Sequence, residues 1–172
     1  MDPIVPLLRA LTQRKVRYAM IGVGGVNLWA HTGGLLFKTD DRDLFLPQDS
    51  DNLVESWAAC DETGFDLWLT DEPLDRPRDR WLAERILSRR AVTRARGPNE
   101  IQVDLTLVMK GFEFETVWNE RHVFRVEGID VPTARLLHIV TSKQLAGREK
   151  DQLFLTTHKD ALEQLLKKPD RD

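Results

Sequence analysis

The chain has 172 residues, 41% of them hydrophobic, and its 25 Lys and Arg against 28 Asp and Glu give a formal net charge of −3. This length and composition indicate one domain, 1–172, with its own hydrophobic core, and they exclude a disordered chain, a stapled mini-protein and a generally basic nucleic-acid binder. The single cysteine, Cys60, excludes an internal disulfide, and because we find neither a run of membrane-spanning hydrophobicity nor a signal peptide, we expect a cytoplasmic protein with no membrane partner.

Hydrophobic spacing and turn residues predict alternating helices and strands without a repeat period. The expected helices are one that starts near residue 4 and ends near Arg14, then 26–31, 51–62, 81–90, 112–119, 134–146 and 150–167. The expected strands are 16–21, 39–46, 65–69, 91–96 and 101–109, with a loop at 71–80 and a hairpin over 122–131. This alternation indicates an α/β or α+β domain with two closing C-terminal helices.

Charge is unevenly distributed along the chain. The stretch 37–75 carries twelve acidic and two basic residues, whereas 76–96 carries eight arginines against two acids. Because the guanidinium fork matches phosphate geometry, the segment 76–96 is a candidate site for a nucleic acid. The alternative is that these arginines pair with the acidic stretch and neutralise it. The tryptophans, Trp81 within this segment and Trp68 before it, are expected in the core or at its edge.

Three aspartates are candidate metal ligands. Asp41 and Asp43 are two residues apart on an expected strand, so their carboxylates point to the same face. Asp104 lies in the middle of an apolar strand, where a charge needs a partner. If the two strands are neighbours, the three carboxylates converge on one site suited to Mg²⁺. A solvated strand edge for the pair and a loop cap for Asp104 are the alternatives.

A glycine-rich stretch, Gly-Val-Gly-Gly at 22–25, follows an expected strand and opens an expected helix. Glycines at that position allow a tight turn and let backbone N–H groups approach an anion at the helix N-terminus. The sequence does not match the common phosphate-loop pattern, which ends in Lys followed by Ser or Thr. An ordinary strand–helix turn is therefore the alternative to phosphate binding.

In chain order, the glycines, the Asp-x-Asp pair, Asp104 and the stretch 143–151 (KQLAGREKD) resemble the nucleotidyltransferase superfamily, which has the polymerase-β-like fold. Within it, the chain is most similar to small bacterial proteins related to the AbiEii/AbiGii abortive-infection toxins. The resemblance covers about 5–155, with a C-terminal helix to about 168. It implies a mixed sheet flanked by helices and closed by C-terminal helices.

The resemblance also implies a role for each matching residue. Asp41, Asp43 and Asp104 would be catalytic and would hold Mg²⁺ or Mn²⁺, and Asp104 would help to deprotonate the acceptor hydroxyl. The NTP would be bound by Gly24, Gly25, Lys143 and Arg148, whereas Asp151 would be structural. Two positions depart from the family pattern: Phe37 stands where an arginine is common, and Arg42 stands between the aspartates, where it should point to the opposite face.

The implied activity is transfer of an NMP from an NTP to an acceptor hydroxyl on RNA or tRNA, a protein or a small molecule. The chain would then be a metal-dependent enzyme, and it could be the toxin of a toxin–antitoxin pair with an antitoxin protein as partner. An RNA or tRNA acceptor would use the basic segment 76–96. The alternative is a nucleotidyltransferase-fold binding or regulatory module that has lost turnover.

Overall fold

A computed structural model describes residues 2–31 and 41–168 of the chain. Its strands are β1 (Ala19–Ile21), β2 (Asp41–Phe45), β3 (Asp66–Leu69), β4 (Glu72–Pro73), β5 (Thr93–Arg96), β6 (Gln102–Thr106), β7 (His122–Val126) and β8 (Ile129–Thr133). Its helices are α1 (Val5–Gln13), α2 (Gly22–His31), α3 (Ser50–Glu62), α4 (Arg80–Arg89), α5 (Phe114–Asn119), α6 (Leu136–Ala146), α7 (Glu149–Thr157) and α8 (Lys159–Lys167), with a short 3-10 turn at Pro98–Glu100.

The strands form one mixed sheet in the order β4-β3-β5-β6-β2-β1-β8-β7. β2 pairs with β6 and β1 pairs with β8 in parallel, while the other neighbours are antiparallel. The expected class, an α/β domain with a mixed sheet flanked by helices and closed by C-terminal helices, is confirmed. The two aspartate-bearing strands are neighbours, as the sequence required for a shared carboxylate site.

Two hydrophobic clusters cover the sheet from opposite sides. The first includes Leu67, Ala95 and Val103 of the strands together with Leu82 and Ile86 of α4, and α1 and α3 also contribute to it. The second joins the β1 and β2 region of the sheet to α2, α5, α6 and α8. Neither cluster takes a side chain from the other face of β3, β5 or β6. Among the described residues, that face therefore has no apolar helix packed on it.

Alternation along β2 assigns its side chains to the two faces. Leu44 belongs to the first cluster and Phe45 to the second. Asp43 consequently lies on the face of Phe45, and Arg42 lies on the opposite face with Leu44. There Arg42 forms an ion pair of 3.2 Å with Asp2. The expected separation of Arg42 from the two aspartates is confirmed.

Some boundaries differ from those expected. The helix predicted at 26–31 begins at Gly22, because a φ of +66° at this glycine lets the chain turn from β1 directly into α2. The single helix expected at 150–167 is divided at His158, whose φ and ψ of −109° and 17° interrupt the helical path. The loop at 71–80 contains the two-residue strand β4. The expected start of a strand at Thr39 and the departure at Phe37 lie outside the described residues.

The α-helices of the described segments are 6 to 13 residues long. None of them combines the length and the apolar character needed to cross a membrane.

Candidate active site

Two of the three predicted aspartates lie side by side. Asp43 on β2 and Asp104 on β6 are direct partners in the parallel strand register, so their side chains point to the same face. Asp104 is largely buried, with 17% of its side chain exposed. Asp41 is exposed and lies opposite Gln102, two residues nearer the start of β2. The structure thus brings Asp43 and Asp104 together and leaves Asp41 at the outer end of the same face.

Asp104 has an arginine partner on its other side. Arg94 is its register partner on the antiparallel strand β5 and donates hydrogen bonds of 2.9 Å from Nε and 3.2 Å from Nη2 to the two carboxylate oxygens. These hydrogen bonds raise the pKa of Arg94. Sequence reasoning missed this pair and placed Arg94 with a nucleic-acid segment. The pair could have been found by centring the predicted hairpin on Asn99. Arg94 and Asp104 are each five residues from Asn99, and residues equally distant from the centre of a hairpin face each other.

Asp43 carries the less compensated charge of the two carboxylates. Burial and the neighbouring charge of Asp104 raise the pKa of Asp43 to about 6, although Lys143 and Lys150 lower it. No described residue donates a hydrogen bond to Asp43, in contrast to Asp104. A partly buried carboxylate that accepts no hydrogen bond from a described residue, beside a second carboxylate, provides the oxygen ligands that a hard divalent cation binds. The pair therefore fits such a cation, although no three acidic, His or Cys side chains converge within 2–31 and 41–168.

The start of α2 lies against the Asp43 carboxylate. A Cβ atom built on Gly22 would collide with Oδ2 of Asp43, so only glycine allows this approach. Gly25 is buried, and a Cβ atom there would lie 2.8 Å from Ile139 and 3.1 Å from the carbonyl oxygen of Met20. Gly24 is also buried, next to Arg42 on the other face. Gly22 rather than Gly24 or Gly25 thus lines the site, and phosphate binding by the latter two stays a prediction.

Cationic side chains from α6 and the start of α7 form the opposite wall. Lys143 contacts the fully buried carboxylate of Asp151 at 3.4 Å, and Arg148 donates a hydrogen bond of 2.7 Å to the same group. Burial lowers the pKa of Lys143, while Asp151 and Asp43 act in the opposite direction. Burial opposes ionisation of Asp151, yet its hydrogen bonds and the charge of Lys143 lower its pKa overall. Asp151 therefore positions both cations, which agrees with the structural role expected for it.

These walls enclose a pocket of about 290 Å³. Its polar lining combines the acids on the sheet with cations on the helices, and its apolar lining comes from the strand ends and α6. The lining residues include Gly22, Asp43, Asp104, Thr106, Lys143, Arg148 and Lys150, together with Val92, Val108, Met109 and Ile139. Asp41, Gly24 and Gly25 do not line it. Lys150 was part of the recognised stretch, but sequence reasoning did not assign it to the site.

The basic segment 76–96 does not form one patch. Arg76 and Arg78 pair with Asp61 in the acidic stretch, as the neutralisation alternative expects, and Arg80 pairs with Glu84 on α4. The arginines of α4 belong to the helix layer on the far side of the sheet from Asp43, because α4 packs into the first cluster. Arg94 and Arg96 are on the strand β5.

The expectation that the tryptophans are core residues is wrong for Trp81. Trp81 is the second residue of α4 and is 64% exposed. The Arg85 guanidinium lies 4.8 Å from the centre of its ring. The inward positions of the helix are occupied by Leu82, Ala83 and Ile86, so the helical period turns Trp81 toward solvent. Trp57, by contrast, is 1% exposed.

Comparison with known proteins gives a result for fold only. No family model matches the chain, and no curated protein matches it. It is similar in structure to the lincosamide antibiotic adenylyltransferase LnuA, solved with lincomycin bound, with a TM-score of 0.57 and 12% identity over 92% of this chain and 95% of that one. An antigenic nucleotidyltransferase-like protein from Paracoccidioides brasiliensis gives a TM-score of 0.49 and 16% identity over 90% and 72%. The similarity to LnuA gives the chain a nucleotidyltransferase-like fold.

Proposed function

We propose that this protein is a metal-dependent nucleotidyltransferase that moves an NMP from an NTP to an acceptor hydroxyl. The observation that carries the proposal is the in-register pair of Asp43 and Asp104, which faces Lys143, Arg148 and Lys150 across one pocket. Nucleotide transfer requires carboxylates that bind a metal ion and cationic side chains that bind the phosphates. The nucleotidyltransferase-like fold supports the same conclusion.

The acids would hold Mg²⁺ or Mn²⁺. Asp43 and Asp104 lie together on the sheet, and Asp41 lies on the same face toward the pocket's outer side. When bound, the ion would lower the pKa of the attacking hydroxyl and neutralise charge on the departing pyrophosphate. Arg94 donates one hydrogen bond to each carboxylate oxygen of Asp104, which leaves fewer lone pairs on Asp104 for a cation. Asp43 is therefore the principal ligand in this proposal.

The cations would bind the triphosphate. Arg148 offers a guanidinium that is 62% exposed even while it is hydrogen-bonded to Asp151. Lys143 is held beside it with only 13% of its side chain exposed, so its ammonium needs little further ordering to meet a phosphate. Backbone N–H groups at the start of α2, where Gly22 lines the pocket, would add anion binding, and the resemblance extends this role to Gly24 and Gly25.

In the transfer step, the acceptor oxygen would bond to the α-phosphorus as the bond from that phosphorus to the bridging oxygen breaks. The NMP would remain on the acceptor, and pyrophosphate would leave with the electron pair. The hydroxyl proton would pass to a carboxylate and then to water. The resemblance assigns this proton to Asp104, but a carboxylate hydrogen-bonded to a guanidinium is a poor proton acceptor. Asp43 receives no such hydrogen bond from a described residue, so its carboxylate oxygen that does not ligate the ion is the better candidate.

The resemblance to AbiEii/AbiGii toxins extends the proposal to cellular role. On that basis the enzyme would act in the cytoplasm as a toxin and would be neutralised by an antitoxin protein. Induced expression should then arrest growth, and the Asp43→Asn variant should not. Growth arrest by both proteins would contradict a role that depends on catalysis.

The direct test of the activity measures binding and turnover separately. Each NTP is added with Mg²⁺, thermal stabilisation reports binding, and pyrophosphate release in the presence of total cellular RNA or protein reports transfer. We expect wild-type protein to be stabilised and to release pyrophosphate, and Asp43→Asn to release none. Stabilisation without turnover for every NTP and acceptor pool would instead identify a nucleotide-binding module.

A further inference from the structure

One face of the sheet next to the carboxylate pair is left without a packed helix in the described structure. We call it the open face and define it as Asp66, Trp68, Val92, Arg94, Arg96 and Gln102, in which Asp66 is the exposed register partner of Arg96. The strand register places Trp68 beside Arg94, Arg94 beside Asp104, and Asp104 beside Asp43. These four side chains therefore form one row across β3, β5, β6 and β2. With neighbouring strands about 4.8 Å apart, the row extends about 14 Å from Asp43.

Pleating separates this face from the core. Leu67, Ala95 and Val103, which alternate with the open-face residues, are 2%, 0% and 0% exposed beneath α3 and α4. Arg96 and Val92, by contrast, are exposed, and Trp68 is half-buried. Neither Trp68 nor Val92 belongs to a hydrophobic cluster, although both lie beside the reaction site, so their position favours a role in binding.

The chemistry of the open face is that of an aromatic platform with one available cation. The Arg96 guanidinium lies 4.5 Å from the centre of the Trp68 ring. Arg94 is engaged by Asp104, whereas Arg96 forms no ion pair with any residue in the described segments. An aromatic ring with an adjacent guanidinium binds the two repeating parts of a single-stranded nucleic acid, because the ring stacks on a base and the guanidinium binds a phosphate.

We propose that the open face binds the acceptor and that the acceptor is the 3′ end of a single-stranded RNA. The inference rests on the proposed nucleotidyltransferase activity. A base upstream of the terminus stacks on Trp68, its phosphate binds Arg96, and the strand follows the row of residues toward Asp43. A small acceptor would need only the pocket, whereas Arg96 lies two strand spacings and Trp68 three strand spacings from the strand that carries Asp43. The proposal assigns RNA binding to the open face instead of to the arginines of α4 within 76–96, because those arginines belong to the opposite layer.

The chain contains a matched control for this proposal. Trp81 and Arg85 on α4 form the same kind of aromatic–guanidinium pair, at 4.8 Å, but on the far side of the sheet. A general affinity of basic and aromatic surfaces for RNA would involve both pairs. A defined site on the open face would involve Trp68 and Arg96 alone.

The experiment measures anisotropy of a fluorescein-labelled, mixed-sequence single-stranded RNA oligonucleotide with the full chain at low salt. We expect Trp68→Ala to weaken binding roughly tenfold, which corresponds to about 1.4 kcal/mol of stacking, and Trp68→Phe to restore most of it. Arg96→Gln should reduce the slope of log affinity against log salt by about 0.7, the value for one phosphate contact with a single strand. Trp81→Ala and Arg85→Gln should bind as wild type.

Several outcomes would overturn the proposal. No binding by wild-type protein at low salt would exclude RNA as the occupant, and equal losses in the Trp81 and Trp68 variants would exclude a defined site. Thermal stabilisation by Mg²⁺ and NTP is measured on the same proteins. If nucleotide binding persists while the RNA results fail, only the acceptor inference fails, whereas absence of nucleotide binding contradicts the proposed function itself.

Discussion

Arg94 donates hydrogen bonds to both carboxylate oxygens of Asp104 from the adjacent strand. On the other side of Asp104, Asp43 receives no hydrogen bond from a described residue, although the two acids occupy equivalent places in the register. Burial and the charge of Asp104 raise the pKa of Asp43, whereas Asp104 has a permanent cation as its partner. The two aspartates are equivalent in strand position but differ in their electrostatic environments.

We expect Arg94→Gln to lower the free energy of unfolding by about 1 kcal/mol at neutral pH. Charge-assisted hydrogen bonds contribute about 1.5–3 kcal/mol, but the Arg94 side chain is 41% exposed and solvent screens part of this. Urea denaturation of Arg94→Gln, Asp104→Asn and the double variant measures the coupling. Additive effects of the two substitutions would show that the hydrogen-bonded pair contributes no stability.

The raised pKa of Asp43 predicts that stability falls as pH rises from about 4 to about 6 without a divalent cation. In this interval the unfolded chain, with an ordinary carboxyl pKa of 3.8, has released a proton that the folded protein retains up to about 6. The loss should be at most about 3 kcal/mol. Thermal denaturation in EDTA should show this slope for wild type and a flatter slope for Asp43→Asn, which should be the more stable protein at pH 8.

Addition of Mg²⁺ provides the control for the Asp43 prediction. At pH 8, Mg²⁺ should raise the melting temperature of wild type and leave that of Asp43→Asn unchanged, because a ligand stabilises only a state that binds it. Equal stabilisation of both proteins would locate the cation elsewhere.

Asp151→Asn should destabilise the protein by about 3 kcal/mol. The substitution leaves the largely buried ammonium of Lys143 without its carboxylate, and removal of one partner from a buried ion pair typically costs about 3–5 kcal/mol. Asp130→Asn is the matched control, because Asp130 pairs with Arg125 at 2.6 Å but is 63% exposed. Its effect should be under about 1 kcal/mol. Urea denaturation compares the two, and similar losses would contradict the positioning role of Asp151.

Gly25→Ala should lower the melting temperature, whereas Gly24→Ala should not. A Cβ atom at Gly25 meets the Met20 carbonyl oxygen at 3.1 Å and Ile139 at 2.8 Å, and overpacking of this kind costs about 1–3 kcal/mol. A Cβ atom at Gly24 meets mainly the flexible Arg42 side chain at 2.9 Å, and alanine is the better helix former. Circular dichroism melts of the two variants measure the difference. If Gly25→Ala melts as wild type, the close packing of α2 on the sheet is not required.

The sequence predicted the fold class, because period-two alternation and turn residues are local signals. The neighbouring positions of the two acidic strands were only a condition for the shared site, because β2 and β6 lie far apart in the chain. The sequence could not predict that Arg94 pairs with Asp104, since that contact depends on which residue centres the hairpin, and a shift of the centre by half a residue changes the partner. The burial of Gly24 and Gly25 likewise depends on where α2 packs against Ile139. Tertiary packing places the arginines of 76–96 in two different layers, and a count of charges along the sequence cannot predict that placement.

The alternation of side chains on β3, β5 and β6 has a consequence for how such a protein can change. Leu67, Ala95 and Val103 hold the fold, while their immediate neighbours Trp68, Arg96 and Gln102 take no part in either hydrophobic cluster. Substitution at the second set can alter what the surface recognises at little cost in folding free energy. Diversification by randomising only these outward positions should thus yield many folded variants, with new binding preferences beside an unchanged pair of acids.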